Sequence, residues 1–218
     1  RVAGGVVGRA EPDDLGMSVA GCQQFGGIEL EVAQGTDVYS GVVNIPEEVT
    51  VKDKTMKVTS IGEYAFRDCS SLTSVTIPNS ITSIKSYAFY GCSAIVNLTI
   101  PTSVKEIGMG AFEGCSSLSQ MILPQGLPVI EDETFYGCSS LQGVVIPSSI
   151  TAVGEEAFSR CNSLISIYCF PATAPECEMS AFTKVDRTWC TVYVPSNIKS
   201  YKDNAMWREF FIEEYTEK

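Results

Sequence analysis

Residues 88–101 read AFYGCSAIVNLTIP, and the phrase returns as AFRDCSSLTSVTIP at 65–78, AFEGCSSLSQMILP at 111–124 and TFYGCSSLQGVVIP at 134–147. Aligned on the Ala-Phe pair, the copies begin at Thr59, Thr82, Lys105, Pro128 and Thr151, a step of 23 residues each time. Phe66, Phe89, Phe112, Phe135 and Phe158 share one column, and Cys69, Cys92, Cys115, Cys138 and Cys161 another. Leu72, Ile95, Leu118, Leu141 and Leu164 form a third, and Val75, Leu98, Met121, Val144 and Ile167 a fourth. Ile77, Ile100, Leu123 and Ile146 are each followed by proline. Self-similarity at a fixed period of this size marks a chain built from stacked units.

A unit of 23 residues cannot enclose a core alone, so its apolar columns must pack on neighbouring copies. Within each unit, L-x-x-V-x-I-P predicts a short strand whose V and I face the same way. Proline then ends the strand, because it has no N–H for the ladder. The stretch Ile84 to Cys92 predicts a return wall, with Ile84, Ala88, Phe89 and Cys92 pointing inward. Coils stacked ~4.8 Å apart make a right-handed solenoid with a parallel β-sheet along one face. About six such coils are expected in a single domain.

Composition narrows the function. The 218 residues are 44% hydrophobic and 19% charged, as in a folded protein, and no stretch has the ~20 apolar residues that span a bilayer. The net charge is −11, and acid exceeds base in each of 1–58, 59–173 and 174–218. Phosphate neutralisation needs clustered Lys or Arg, so neither nucleic acid nor an anionic membrane surface is an expected partner. There is no histidine, which removes Ser-His-Asp and Cys-His catalysis and every His-ligated metal site. No P-loop or EF-hand spacing occurs, and GMGAFEG has the wrong spacing for a dinucleotide fingerprint. Glu155-Glu156 and Glu131-Asp132-Glu133 are neighbours on the return wall and not carboxylates opposed across a cleft. No enzyme activity and no cofactor is expected.

The unit T-S-I-G-x-Y-A-F-x-G-C-S-S-L-T-S-V-T-I-P-x-S-I closely resembles the BspA-type leucine-rich repeat of bacterial surface proteins, over roughly residues 38–212. The fourth copy departs most, with Thr134 in place of Ala and Pro128 in place of a polar start. The resemblance implies a leucine-rich-repeat solenoid with an N-terminal β cap and a C-terminal strand-helix cap. Residues 39–61 are similar to the family's opening strands, and Cys190 to Phe210 to its closing strand and helix. Ile198, Tyr201, Ala205 and Phe210 would cover the end, with Trp207 alongside. The organisation expected is 1–25 as a flexible lead-in, 26–58 as N-terminal β cap and irregular first coil, 59–173 as five repeats, and 174–218 as last irregular coil and C-terminal cap. The chain begins with Arg1, so any signal peptide has been removed on this reading.

Five thiols in one column suggest a metal rail or a series of disulfides. The plainer reading is that a small, apolar side chain fills a tight inward corner of each coil. Cys169, Cys177 and Cys190 surround an insertion, FPATAPECEMSAF, where the step stretches to 24. An exported protein is compatible with one disulfide among these three, and the sequence names neither its partners nor the state of Cys22. Asn97-Leu98-Thr99 has the glycosylation pattern but falls within a predicted strand.

Strand alternation sends the residue between V and I away from the core. That column reads Thr76, Thr99, Ile122, Val145, Tyr168, then Tyr193 in the closing strand, and so turns from polar to apolar and aromatic. A neighbouring outward column holds Thr73, Val96, Ser119, Gln142 and Ile165. Contiguous exposed apolar side chains mark contact surfaces, which makes Ile122, Val145, Ile165, Tyr168 and Tyr193 the candidate partner-binding residues. The resemblance implies adhesion at the bacterial surface or outside the cell, to a host matrix protein, mucin or other cell-surface macromolecule. The alternative is a structural spacer without a specific ligand. Neither the ligand, the anchoring mode nor the oligomeric state follows from the sequence.

Overall fold

The computed structural model describes residues 17–18, 29–32, 38–51, 53–195 and 198–215. The lead-in expected over 1–25, and with it Cys22, lies outside the described residues, except Met17–Ser18, a strand antiparallel to Glu29–Val32. The rest is chiefly a parallel-sheet β-solenoid of about seven turns, where about six coils were expected. In the N-terminal segment, the strand Ser40–Asn44 pairs in parallel with Ser71–Thr76.

The repeat columns turn inward, as their chemistry requires. Phe66, Phe89, Phe112, Phe135, Phe158 and Phe182 are wholly buried. They stack face to face with centroids 5.0–5.5 Å apart. Each Phe N–H donates to the carbonyl of the residue before the next Phe, as from Phe66 to Ala88 at 2.7 Å and from Phe112 to Thr134 at 2.9 Å. Beside this stack run the thiols. Cys92 donates to the Phe66 carbonyl at 3.0 Å, and Cys138 to that of Phe112 at 3.2 Å. With Cys115 and Cys161 these thiols tie each coil to the one before, while Cys69 donates to the Arg67 carbonyl of its own turn. Thr134, the fourth copy's departure, is buried and donates its hydroxyl to the Glu131 carbonyl at 2.6 Å. Its polar atom is thus satisfied where the other copies have a methyl.

One face carries a five-stranded parallel sheet: Gln120–Ile122, Gly143–Ile146, Ser166–Cys169, Thr191–Val194 and Phe211–Glu214. A second wall carries short parallel pairs, with Val129–Ile130, Ala152–Val153 and Glu176–Cys177 in one run. The strand expected over 95–100 is absent, although Ile95, Leu98 and Ile100 remain buried. Asn97 therefore lies on irregular, exposed backbone and not within a strand.

At the C-terminal end, Trp207 and Phe210 meet Phe182 edge-on at 5.5 and 5.0 Å, and Tyr201 meets Trp207 at 5.9 Å. Ala205, expected to help cover this end, is exposed, and Met206 is buried in its place. The helix Ile198–Asp203 has ended by then, so its periodicity no longer applies. A closing strand that the helical reading missed, Phe211–Glu214, follows and pairs with Thr191–Val194. Cys169, Cys177 and Cys190 are free thiols, as are the five of the column, so no disulfide joins the described cysteines.

Candidate binding surface

The parallel register sets Ile122 beside Val145, Val145 beside Tyr168, and Tyr168 beside Tyr193. Four of the five expected residues therefore form one continuous row across adjacent strands. Their neighbours in sequence, Met121, Val144, Ile167 and Val192, are buried, which turns the row to the outside. Ile122 is 68% exposed, while Val145, Tyr168 and Tyr193 are half-buried against one another. Ile165 is 55% exposed but stands off the row, just before the strand Ser166–Cys169.

Tyr168 and Tyr193 stack with ring centroids 4.8 Å apart, and Tyr215 meets Tyr168 edge-on at 6.0 Å. Phe170 meets Tyr215 edge-on at 5.8 Å. Packed aromatics of this kind have few rotamers left to lose on binding, which favours them as contact anchors. At the other end of the row, where the sheet is interrupted, a cleft of about 450 Å³ opens. Ile122, Val145 and Phe170 are among its apolar lining, and Asn97, Gln120 and Gln125 contribute amides to it. The row ends in acid: Tyr193 pairs with Glu213, and Glu214 follows.

Phe170 and Tyr215 were not among the expected residues. A signal for Phe170 was present: it occupies the column of Pro78, Pro101, Pro124 and Pro147, the one repeat in which an aromatic replaces the strand-ending proline. Tyr215 carried no such signal, because it lies beyond the periodic region. Among the described residues there is no group of three or more potential metal ligands, and no helix long and apolar enough to cross a membrane.

The sequence profile of the BspA type leucine rich repeat region, in six copies, matches residues 44–165 and 129–215. No curated protein matches the chain. Among solved structures, it is similar to the leucine rich repeat protein of T. pallidum, at 19% identity and a TM-score of 0.60, covering 72% of this chain and 83% of that one. A leucine-rich repeat protein from Bacteroides ovatus ATCC 8483 has 22% identity and a TM-score of 0.52, covering 91% of this chain and 66% of its own. One from Eubacterium ventriosum ATCC 27560 has 22% identity and a TM-score of 0.56, covering 72% of this chain and 46% of its own. The likeness to these structures is one of fold.

Proposed function

The chain belongs to the BspA-type leucine-rich-repeat family, and on that premise we propose that it is a non-enzymatic binding protein of the bacterial surface or exterior. Its partner is a cell-surface or matrix macromolecule, contacted through the sheet face. The observation that carries this reading is the row Ile122–Val145–Tyr168–Tyr193, which places apolar and stacked aromatic groups on the outside of consecutive strands. A rigid, elongated face suits a broad partner, since the row crosses four strands spaced ~4.8 Å apart. A spacer would have no use for solvent-facing hydrophobes at registered positions.

The test is binding of the purified protein to immobilised matrix proteins, mucins and glycans, beside a Tyr168→Ala/Tyr193→Ala variant. Saturable binding that the folded variant loses supports the sheet face. Binding retained by the variant moves the site elsewhere, and no binding to any probe favours the spacer.

A further inference from the structure

A second cavity, of about 460 Å³, lies on the turn wall between the Phe and Cys columns, away from the sheet. Its floor is Gly91, Gly114 and Gly137, three successive members of a column that holds Asp68 before them and Arg160 and Lys184 after. All of these residues adopt the same left-handed backbone, with φ between 58° and 72°. The side-chain-bearing members show that the turn accepts more than glycine. At Gly114 and Gly137 a Cβ would meet nothing closer than 3.5 Å, so packing does not demand glycine there. The effect of the three glycines is a trough open over three coils.

Two tyrosines and the Glu113 carboxylate stand over that floor, and Asp68 lines its first end. Tyr90, Glu113 and Tyr136 are consecutive members of one column, so the carboxylate lies on the coil between the two rings. Each ring also meets a cation from a flanking coil. Arg67 sits over Tyr90 at 5.3 Å and Arg160 over Tyr136 at 5.4 Å. Tyr90 and Tyr136 stand one coil to either side of Glu113 and line the same cavity. Neither Glu113 nor Arg160 belongs to any of the four ion pairs among the described residues. Burial, then repulsion by Glu133 and Glu156, pushes the Glu113 carboxyl above the usual range, as expected of an acid without a counter-charge.

We propose that this trough binds a group in which an alkylated ammonium stands next to a phosphate, the chemistry of a phosphocholine head. The ammonium enters between Tyr90 and Tyr136 above Glu113, where ring faces and carboxylate both attract a soft cation. The phosphate meets the Arg160 guanidinium at the far end, with the Ser139 hydroxyl and Asn162 amide lining the same cavity. The cavity volume is within the range of small-ligand clefts. The site is separate from the sheet face, and its success or failure does not depend on that reading.

The test is titration of the isotope-labelled protein with phosphocholine, choline and inorganic phosphate, followed by NMR. Phosphocholine is expected to saturate, to bind more tightly than choline, and to shift the amides of Gly91, Gly114 and Gly137, while phosphate alone has no effect. Glu113→Gln is expected to weaken phosphocholine and choline alike by about tenfold or more. Arg160→Ala brings phosphocholine down to choline. Gly137→Arg, which copies the residue and backbone of the next coil, blocks the trough without unfolding it. Flotation with phosphatidylcholine vesicles separates a lipid-borne head from a soluble or glycan-borne one. Absence of saturable binding, shifts confined to other residues, or full binding by folded Glu113→Gln would overturn the proposal.

Discussion

The Tyr201 hydroxyl donates to the Pro171 carbonyl at 2.7 Å, inside the protein and 30 residues away in sequence. Trp207 makes a parallel bond, its indole N–H reaching the Pro175 carbonyl at 2.8 Å. The insertion that breaks the repeat step thus supplies two carbonyls for the segment that follows the last coil. Both donors are buried, and burial also pushes the Tyr201 phenol far above its ordinary pKa. Tyr201→Phe keeps the ring but leaves the carbonyl short of a partner. It is expected to cost about 1–2 kcal/mol in denaturant unfolding, and an unchanged midpoint would refute the assignment.

Phe112 is at the middle of the ring stack, 5.5 Å from both Phe89 and Phe135. Phe112→Ala removes a fully buried ring and interrupts the column. The expected loss is about 3–5 kcal/mol. Because each coil of a solenoid contacts only its neighbours, the two halves should then unfold in separable steps. Two probes reporting on either side of Phe112 would show this as non-coincident transitions.

The thiols of Cys115, Cys138 and Cys161 should be inert in the native state. Cys115 and Cys161 are buried, and burial pushes their thiols up to about 12, leaving almost no thiolate at neutral pH. In a Cys22→Ser background, a thiol reagent at about pH 8 should label these three only at the rate of unfolding. Rapid labelling of Cys115 in folded protein would contradict the packing. Cys177, half-buried, is expected to react before these three do.

Glu113 makes stability depend on pH in an unusual direction for a carboxylate. Its folded pKa is raised, by burial first and by Glu133 and Glu156 next. The folded state therefore holds the proton more tightly than the unfolded chain. The stability this provides is complete below the ordinary Glu value of about 4.3 and is lost as pH rises through the raised value. Glu113→Gln should raise Tm at neutral pH and leave it unchanged at about pH 3. Equal effects at both values would mean that charge is not the cause.

The residue columns made the stack legible before any coordinates. In a solenoid the main neighbours of residue n are its counterparts one repeat away, so Phe on Phe, Cys on the preceding coil and Ile122 beside Val145 all follow from the 23-residue step. The same logic made the sheet-face row readable, because strand alternation assigns each position to one side. It failed where the period fails. Ala205 and Met206 exchange roles because the helix stops at Asp203; the strand expected at 95–100 is also absent, and the residue types there do not explain it.

What the sequence alone determined is the one-dimensional order: which coil lies on which, and which columns are buried. What only the tertiary structure decided is how side chains reach across that order. Tyr87 passes over the next coil to bond Glu133 at 3.3 Å, two repeats away. It can do so because a side chain at Gly110 would come within 2.2 Å of the tyrosine ring. Likewise, Arg67 and Arg160 reach over the rings of Tyr90 and Tyr136. Backbone periodicity follows from spacing, because main-chain hydrogen bonds between coils are local and repeated. Side-chain direction does not, because each rotamer depends on the space that non-identical neighbours leave.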